Sequence, residues 1–104
     1  LENQNSSFLQ KTNRVSVLYV NEEVKLNAMK IASILRENSI PTDIDLSGRA
    51  LKKQMEQSTN SKFVIIVGPD ELSKNMVVVR NMSDRTENKI LISELLEHVK
   101  KLLM

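Results

Sequence analysis

Two rhythms of apolar and polar positions alternate along this chain. Val15 to Val20 is β-rich and mostly apolar, the pattern of a strand covered on both faces. Val24, Ala28, Ile31, Ala32 and Leu35 then recur at helical spacing, which predicts a helix of about four turns. Glu22 and Glu23 suit its positive end, and Pro41 bars helical geometry from the residue before it. Thr42, Ile44 and Leu46 alternate with Asp43 and Asp45, as in a half-exposed edge strand. A second helix is predicted from about Arg49 to Ser58, with Ala50, Leu51 and Met55 as a thin apolar stripe. The unbroken run Phe63 to Val67, stopped by Gly68 and Pro69, reads as the central strand.

Only eight residues, Gly68 to Asn75, separate that strand from the next apolar run, Met76 to Val79. A parallel crossover needs about a dozen residues including a helix, so the fourth strand must run antiparallel to the third. Asn81 to Asn88 is a polar turn region, and Lys89 to Ile92 returns as a fifth strand. Ser93 can cap a last helix whose stripe is Leu95, Leu96, Val99, Leu102 and Leu103. Right-handed crossovers then give a three-layer α/β/α fold. Its mixed five-stranded sheet has the order 2-1-3-4-5, with strand four antiparallel, and three helices pack on it.

Composition narrows the class. The 104 residues suffice for one domain with a single core, expected at 14–104. Residues 1–13 are rich in Asn, Gln and Ser and read as the remnant of a linker from a larger protein. The absence of cysteine excludes disulfide and thiolate chemistry, and a single histidine, His98, makes a dedicated metal site an unsupported reading. A net charge of +2 is too slight to coat nucleic acid, so any such contact must be local. No apolar run is long enough to span a membrane and no signal-peptide pattern opens the chain, so a cytoplasmic location is the expectation. Only Phe8, Tyr19 and Phe63 could stack on a base.

The most informative stretch is 43–54. Ser47 offers a hydroxyl to cap the second helix, and Gly48 lets the backbone turn closely. Arg49, Lys52 and Lys53 are spaced to share one helical face and attract an anion. In an open α/β sheet, ligands bind beyond the carboxyl ends of the strands where strand order reverses. The loops at Asn21 to Glu23, Asp45 to Lys53 and Gly68 to Glu71 converge there. No nucleophile–base set and no Walker-type or dinucleotide-binding glycine loop exists, so no catalytic residue is assigned, and the chemistry at that mouth is binding. A phospho-receiver domain fails for want of a helix after strand three. Taken singly, Arg49, Lys52 and Lys53 are more often a solvated helix face than a phosphate site, and Asp70 and Glu71 are no more than a polar turn.

Leu46 to Gln54, Val64 to Glu71 and Val77 to Arg80, in this order, resemble the C-terminal anticodon-binding domain of histidyl-tRNA synthetases over roughly Arg14 to Met104. Ser39 departs from that pattern, which commonly has glycine there. The resemblance implies contacts to anticodon bases from Glu71 and Arg80, with the turn Ser47, Gly48, Arg49 close by. Lys52 and Lys53 would position phosphates. It implies a tRNA partner and no cofactor in this domain. The parent would be a dimeric histidine–tRNA ligase whose separate catalytic domain uses ATP and Mg. Two other readings stay open: a synthetase-like tRNA-sensing domain of a regulatory kinase, and a flavodoxin-like module for a small anion or for dimerisation.

Overall fold

A computed structural model of the chain describes residues 14–45, 50–58, 61–82 and 85–103. Its strands are β1 (Val15–Tyr19), β2 (Thr42–Ile44), β3 (Phe63–Val67), β4 (Met76–Asn81) and β5 (Glu87–Leu91). They form one sheet in the order β2-β1-β3-β4-β5, as the connection lengths dictate. β1 pairs in parallel with β2 and β3, while β4 is antiparallel to both β3 and β5.

Among the described residues four helices accompany the sheet: α1 (Lys25–Glu37), entered through a 3-10 turn at Glu22–Val24, α2 (Leu51–Gln57), α3 (Pro69–Leu72) and α4 (Ile92–Leu103). The count exceeds the expected three because the short link after β3 still fits one turn. Pro69 opens that turn where its missing N–H would have had no helical partner. The last helix starts at Ile92, one residue before its expected cap Ser93, so Ser93 lies inside its first turn.

The main core lies on one face of the sheet. Val15, Val17, Tyr19, Ile65, Val67, Val77 and Val79 pack beneath Ala28, Ile31, Ala32 and Leu35 of α1 and Leu95 and Val99 of α4. Strand pairing carries Ser16, Leu18, Val64, Ile66, Val78, Arg80 and Lys89 to the opposite face. There α2 packs against β1. Met76, Val78 and Arg80 stay only partly buried and Lys89 exposed, because among the described residues no helix crosses the sheet over β4 and β5. No helix among the described residues is long and apolar enough to cross a membrane.

α2 is held by an interaction that amphipathic pattern alone does not disclose. β2 is three residues long and pairs no further along β1 than Val17. The Val20 N–H turns to β3, donating to the Val67 carbonyl at 3.0 Å, so the N–H and C=O of Tyr19 point to the side that β2 has vacated. Gln54 takes the missing strand's place. The Tyr19 N–H donates to Gln54 Oε1 and Gln54 Nε2 donates to the Tyr19 carbonyl, both at 3.0 Å, with Gln54 only 1% exposed.

α1 ends in a Schellman motif. Ser39 N–H donates to the Arg36 carbonyl and Ile40 N–H to the Leu35 carbonyl, both at 3.0 Å, and buried Ile40 joins Leu35 in the core cluster. This geometry sets Ser39 at φ 65, the left-handed region that glycine occupies without a Cβ penalty. Ser39→Gly is therefore expected to stabilise the fold by about 0.5–1 kcal/mol. Gln54→Leu, which removes both hydrogen bonds to the Tyr19 backbone, should cost about 2–4 kcal/mol. Urea unfolding midpoints check both signs, and a neutral Gln54→Leu would contradict the strand-replacement role.

Candidate functional site

The carboxyl ends of β1 and β3 lie side by side. A Cβ placed on Gly68 would sit 3.4 Å from Val20 Cγ2. The residues after β1 and β3 therefore meet as the topology requires. Ser47, Gly48 and Arg49 of the third converging stretch lie outside the described residues. α2 itself begins at Leu51, with Ala50 at the cap position in extended conformation and no side-chain cap. This corrects the start expected at about Arg49 under a Ser47 cap. The two-point bond from Gln54 to β1 is what fixes where the helix sits. Lys52 and Lys53 are both exposed, and Lys53 Nζ lies 3.6 Å from Glu56 Oε1. Such an exposed pair is weak and leaves the ammonium available.

Glu71 is the third residue of the one-turn helix α3. The turn is closed by the Leu72 N–H donating to the Gly68 carbonyl at 2.9 Å. The partly buried side chain of Glu71 folds back over that glycine, so that a Cβ on Gly68 would lie only 2.6 Å from Glu71 Oε1. Gly68 is needed here for close approach, since its φ of −124° suits any residue. Glu71 lines a recess of about 420 Å³ together with Asp70, Ser73, Lys74, Met76 and Lys89.

Arg80 lies on the same sheet face but elsewhere. It sits across from Val64 on one side and Glu87 on the other, and its Nη1 donates to Glu87 Oε2 at 2.7 Å. Its Nε is buried with no hydrogen-bond partner among the described residues. From the level of Val64 to that of Gly68 is four residues of strand, about 13 Å. Arg80 is thus absent from the recess that Glu71 lines.

The cation that shares Glu71's recess from a strand is Lys89, which the motifs did not single out. Lys89 is paired with Val78, whose other partner is Ile66, so it stands at the level between Gly68 and Arg80. Strand alternation could have placed it on Arg80's face had the length of the β4–β5 turn been readable. A second recess of about 250 Å³, between β1, β2 and α2, is lined by Ser16, Asp43, Asp45 and Gln54. Arg14 Nη1 donates to Asp43 at 2.6 Å at the same edge. Among the described residues no group of three His, Cys, Asp or Glu could hold a metal ion. Tyr19 and Phe63 are 1% and 2% exposed, so neither ring is presented for stacking, and Phe8 lies outside the described residues.

The family model described as "Anticodon binding domain" matches residues 14–102. The histidine–tRNA ligase of Thermoanaerobacter sp. (strain X514) is 36% identical over 83% of this chain and 21% of its own length. That of Pyrococcus furiosus is 37% identical over 86% of this chain and 21% of its own. The chain therefore spans about a fifth of the length of these curated relatives. The crystal structure of apo S. aureus histidyl-tRNA synthetase superposes with a TM-score of 0.80 at 29% identity, covering 88% of this chain and 24% of that one.

The contact between Glu71 and Gly68 yields a structural prediction. Gly68→Ala should change stability by less than about 1 kcal/mol, because the backbone conformation suits alanine. The new methyl must nevertheless push the Glu71 carboxylate away by about 1 Å to reach ordinary contact distance. A crystal structure of the variant with Oε1 unmoved would contradict this.

Proposed function

The chain belongs to the anticodon-binding domain family, and from that premise we propose that it recognises the anticodon loop of histidine tRNA as one domain of a histidine–tRNA ligase. The observation that carries the proposal is the family match over 14–102, joined by relatives bearing the ligase name at 36% and 37% identity. Since the chain is about a fifth of those relatives, histidine activation with ATP and Mg, and dimerisation, belong to other parts of such a protein. The cytoplasm, where tRNA is charged, is the corresponding location. No observation favours a kinase-borne sensor, and the reversed β4 departs from the all-parallel sheet of a flavodoxin-like module.

Bases of an RNA loop can splay outward and offer their pairing edges. Glu71 accepts from base N–H groups, and Arg80 donates farther along the same face once its exposed neighbour Glu87 is exchanged. Ser47, Gly48 and Arg49 contribute from the turn that follows β2. Lys52 and Lys53 neutralise phosphates, which positions the loop without reading sequence.

Binding of the chain to a hairpin carrying the histidine anticodon, and to one with altered anticodon bases, tests this across a salt series. A preference for the native loop that survives added salt is expected, and equal, salt-sensitive binding would overturn the reading. Glu71→Gln should remove about 1–3 kcal/mol of that preference. Lys52→Ala should leave the preference intact while lowering the slope of log K against log salt by about 0.7, the loss of one phosphate contact.

A further inference from the structure

β5 is the last strand of the sheet, and among the described residues no strand pairs with its outer side. The backbone register shows which groups that edge presents. Asn81 N–H donates to the Thr86 carbonyl and Ile92 N–H to the Asn75 carbonyl, both at 2.8 Å. Hydrogen-bonded pairs alternate along an antiparallel ladder, so Thr86, Asn88, Ile90 and Ile92 turn their backbone groups toward β4. Glu87, Lys89 and Leu91 therefore turn theirs outward. Neither a proline within β5 nor a bulge in its ladder with β4 blunts this edge, and every residue of the strand except Ile90 is exposed.

Charge decides what can pair there. Glu87 stands across from Arg80 and Lys89 across from Val78, so both project from the face that carries Arg80. Lys89 forms no ion pair among the described residues, and Glu87 has Oε2 on Arg80 Nη1 at 2.7 Å, which leaves Oε1 to accept elsewhere. A lysine on an edge repels a strand that sets a cation opposite it and favours one that sets a carboxylate there.

We propose that β5 pairs antiparallel with β5 of a second copy of this chain, about a two-fold axis at Asn88. A two-fold contact sets residue i against j and j against i. At this axis Glu87 of each copy faces Lys89 of the other, and both residues have outward backbone groups. Each pair thus joins backbone hydrogen bonds to an opposite-charge contact on the open face. Moving the axis one residue either way sets like charges opposite, two carboxylates at Glu87 or two ammonium groups at Lys89. An axis at Ile90 sets Lys89 against Leu91, with no charge gained. The strand's own sequence selects one register, and the two sheets run on as one. This contact is additional to the dimerisation assigned above to other parts of a longer protein.

Sedimentation equilibrium of the 104-residue chain tests this. The average mass is expected to climb toward twice that of the monomer with rising concentration, and the Glu87 and Lys89 amides to exchange more slowly as it does. Glu87→Lys and Lys89→Glu should each weaken self-association about ten-fold, since each sets like charges opposite at both pairs. An equimolar mixture of the two variants should recover it, because one copy then brings two cations and the other two carboxylates. Both positions are exposed, so the variants are expected to unfold near the wild-type urea midpoint, which separates lost association from lost fold. A wild-type chain that stays monomeric at millimolar concentration overturns the proposal. So does a mixture that associates no better than its components.

Discussion

The eight residues between β3 and β4 constrain the rest of the molecule more than any other stretch. They are too few for a parallel crossover, so β4 must turn back, and the helix that would have covered the second sheet face over β4 cannot exist. That face is therefore left to Met76, Val78, Arg80 and Lys89, apolar near the middle and charged at the margins. The same eight residues still fit one turn of helix, and that turn sets Glu71 beside the face that no helix crosses among the described residues. An open surface and the residue poised beside it have a single covalent origin.

A second constraint acts at the opposite edge. β2 is too short to satisfy β1 beyond Val17, and an unpaired buried backbone group costs about 1–3 kcal/mol. Gln54 answers both groups of Tyr19 with one amide, whose donor and acceptor are spaced like those of a peptide unit. The bond also sets the rotation of α2, and with it the outward direction of Lys52 and Lys53. Fold stability and the placement of the basic residues thus share one side chain.

The sheet order and the reversed strand were legible because they follow from apolar run lengths and from a count of connecting residues. The motif after β3 drew attention to Glu71, and the structure sets that residue at a recess. Lys89 was not, because its face depends on strand register, and register depends on turn geometry between β4 and β5 that composition does not encode. Gln54 looked like one more polar residue on a thin amphipathic helix, since nothing in a linear pattern shows that β1 runs on past its last pair with β2. Tyr19 and Phe63 looked available for stacking, yet both lie on inner strands of the sheet and are buried. The start of α2 was set two residues early, because Ser47 is a good cap by type while the observed cap position is filled by Ala50.

A net charge of +2 spread over both signs shows how such a surface can discriminate. If attraction were delegated to many cations, affinity would follow salt and ignore bases. Here the cations on the open face have acidic neighbours: Arg80 is answered by Glu87, and Lys89 shares its recess with Glu71 and Asp70. Each acidic group subtracts from phosphate attraction and adds a place where only a hydrogen-bond donor is welcome. Base edges differ in where they carry donors, whereas phosphates carry none, so mixing signs on one face exchanges affinity for selectivity. Lys52 and Lys53 lie exposed on α2, toward the β2 edge of the sheet, where in the reading proposed above their positive charge would hold phosphates apart from those carboxylates.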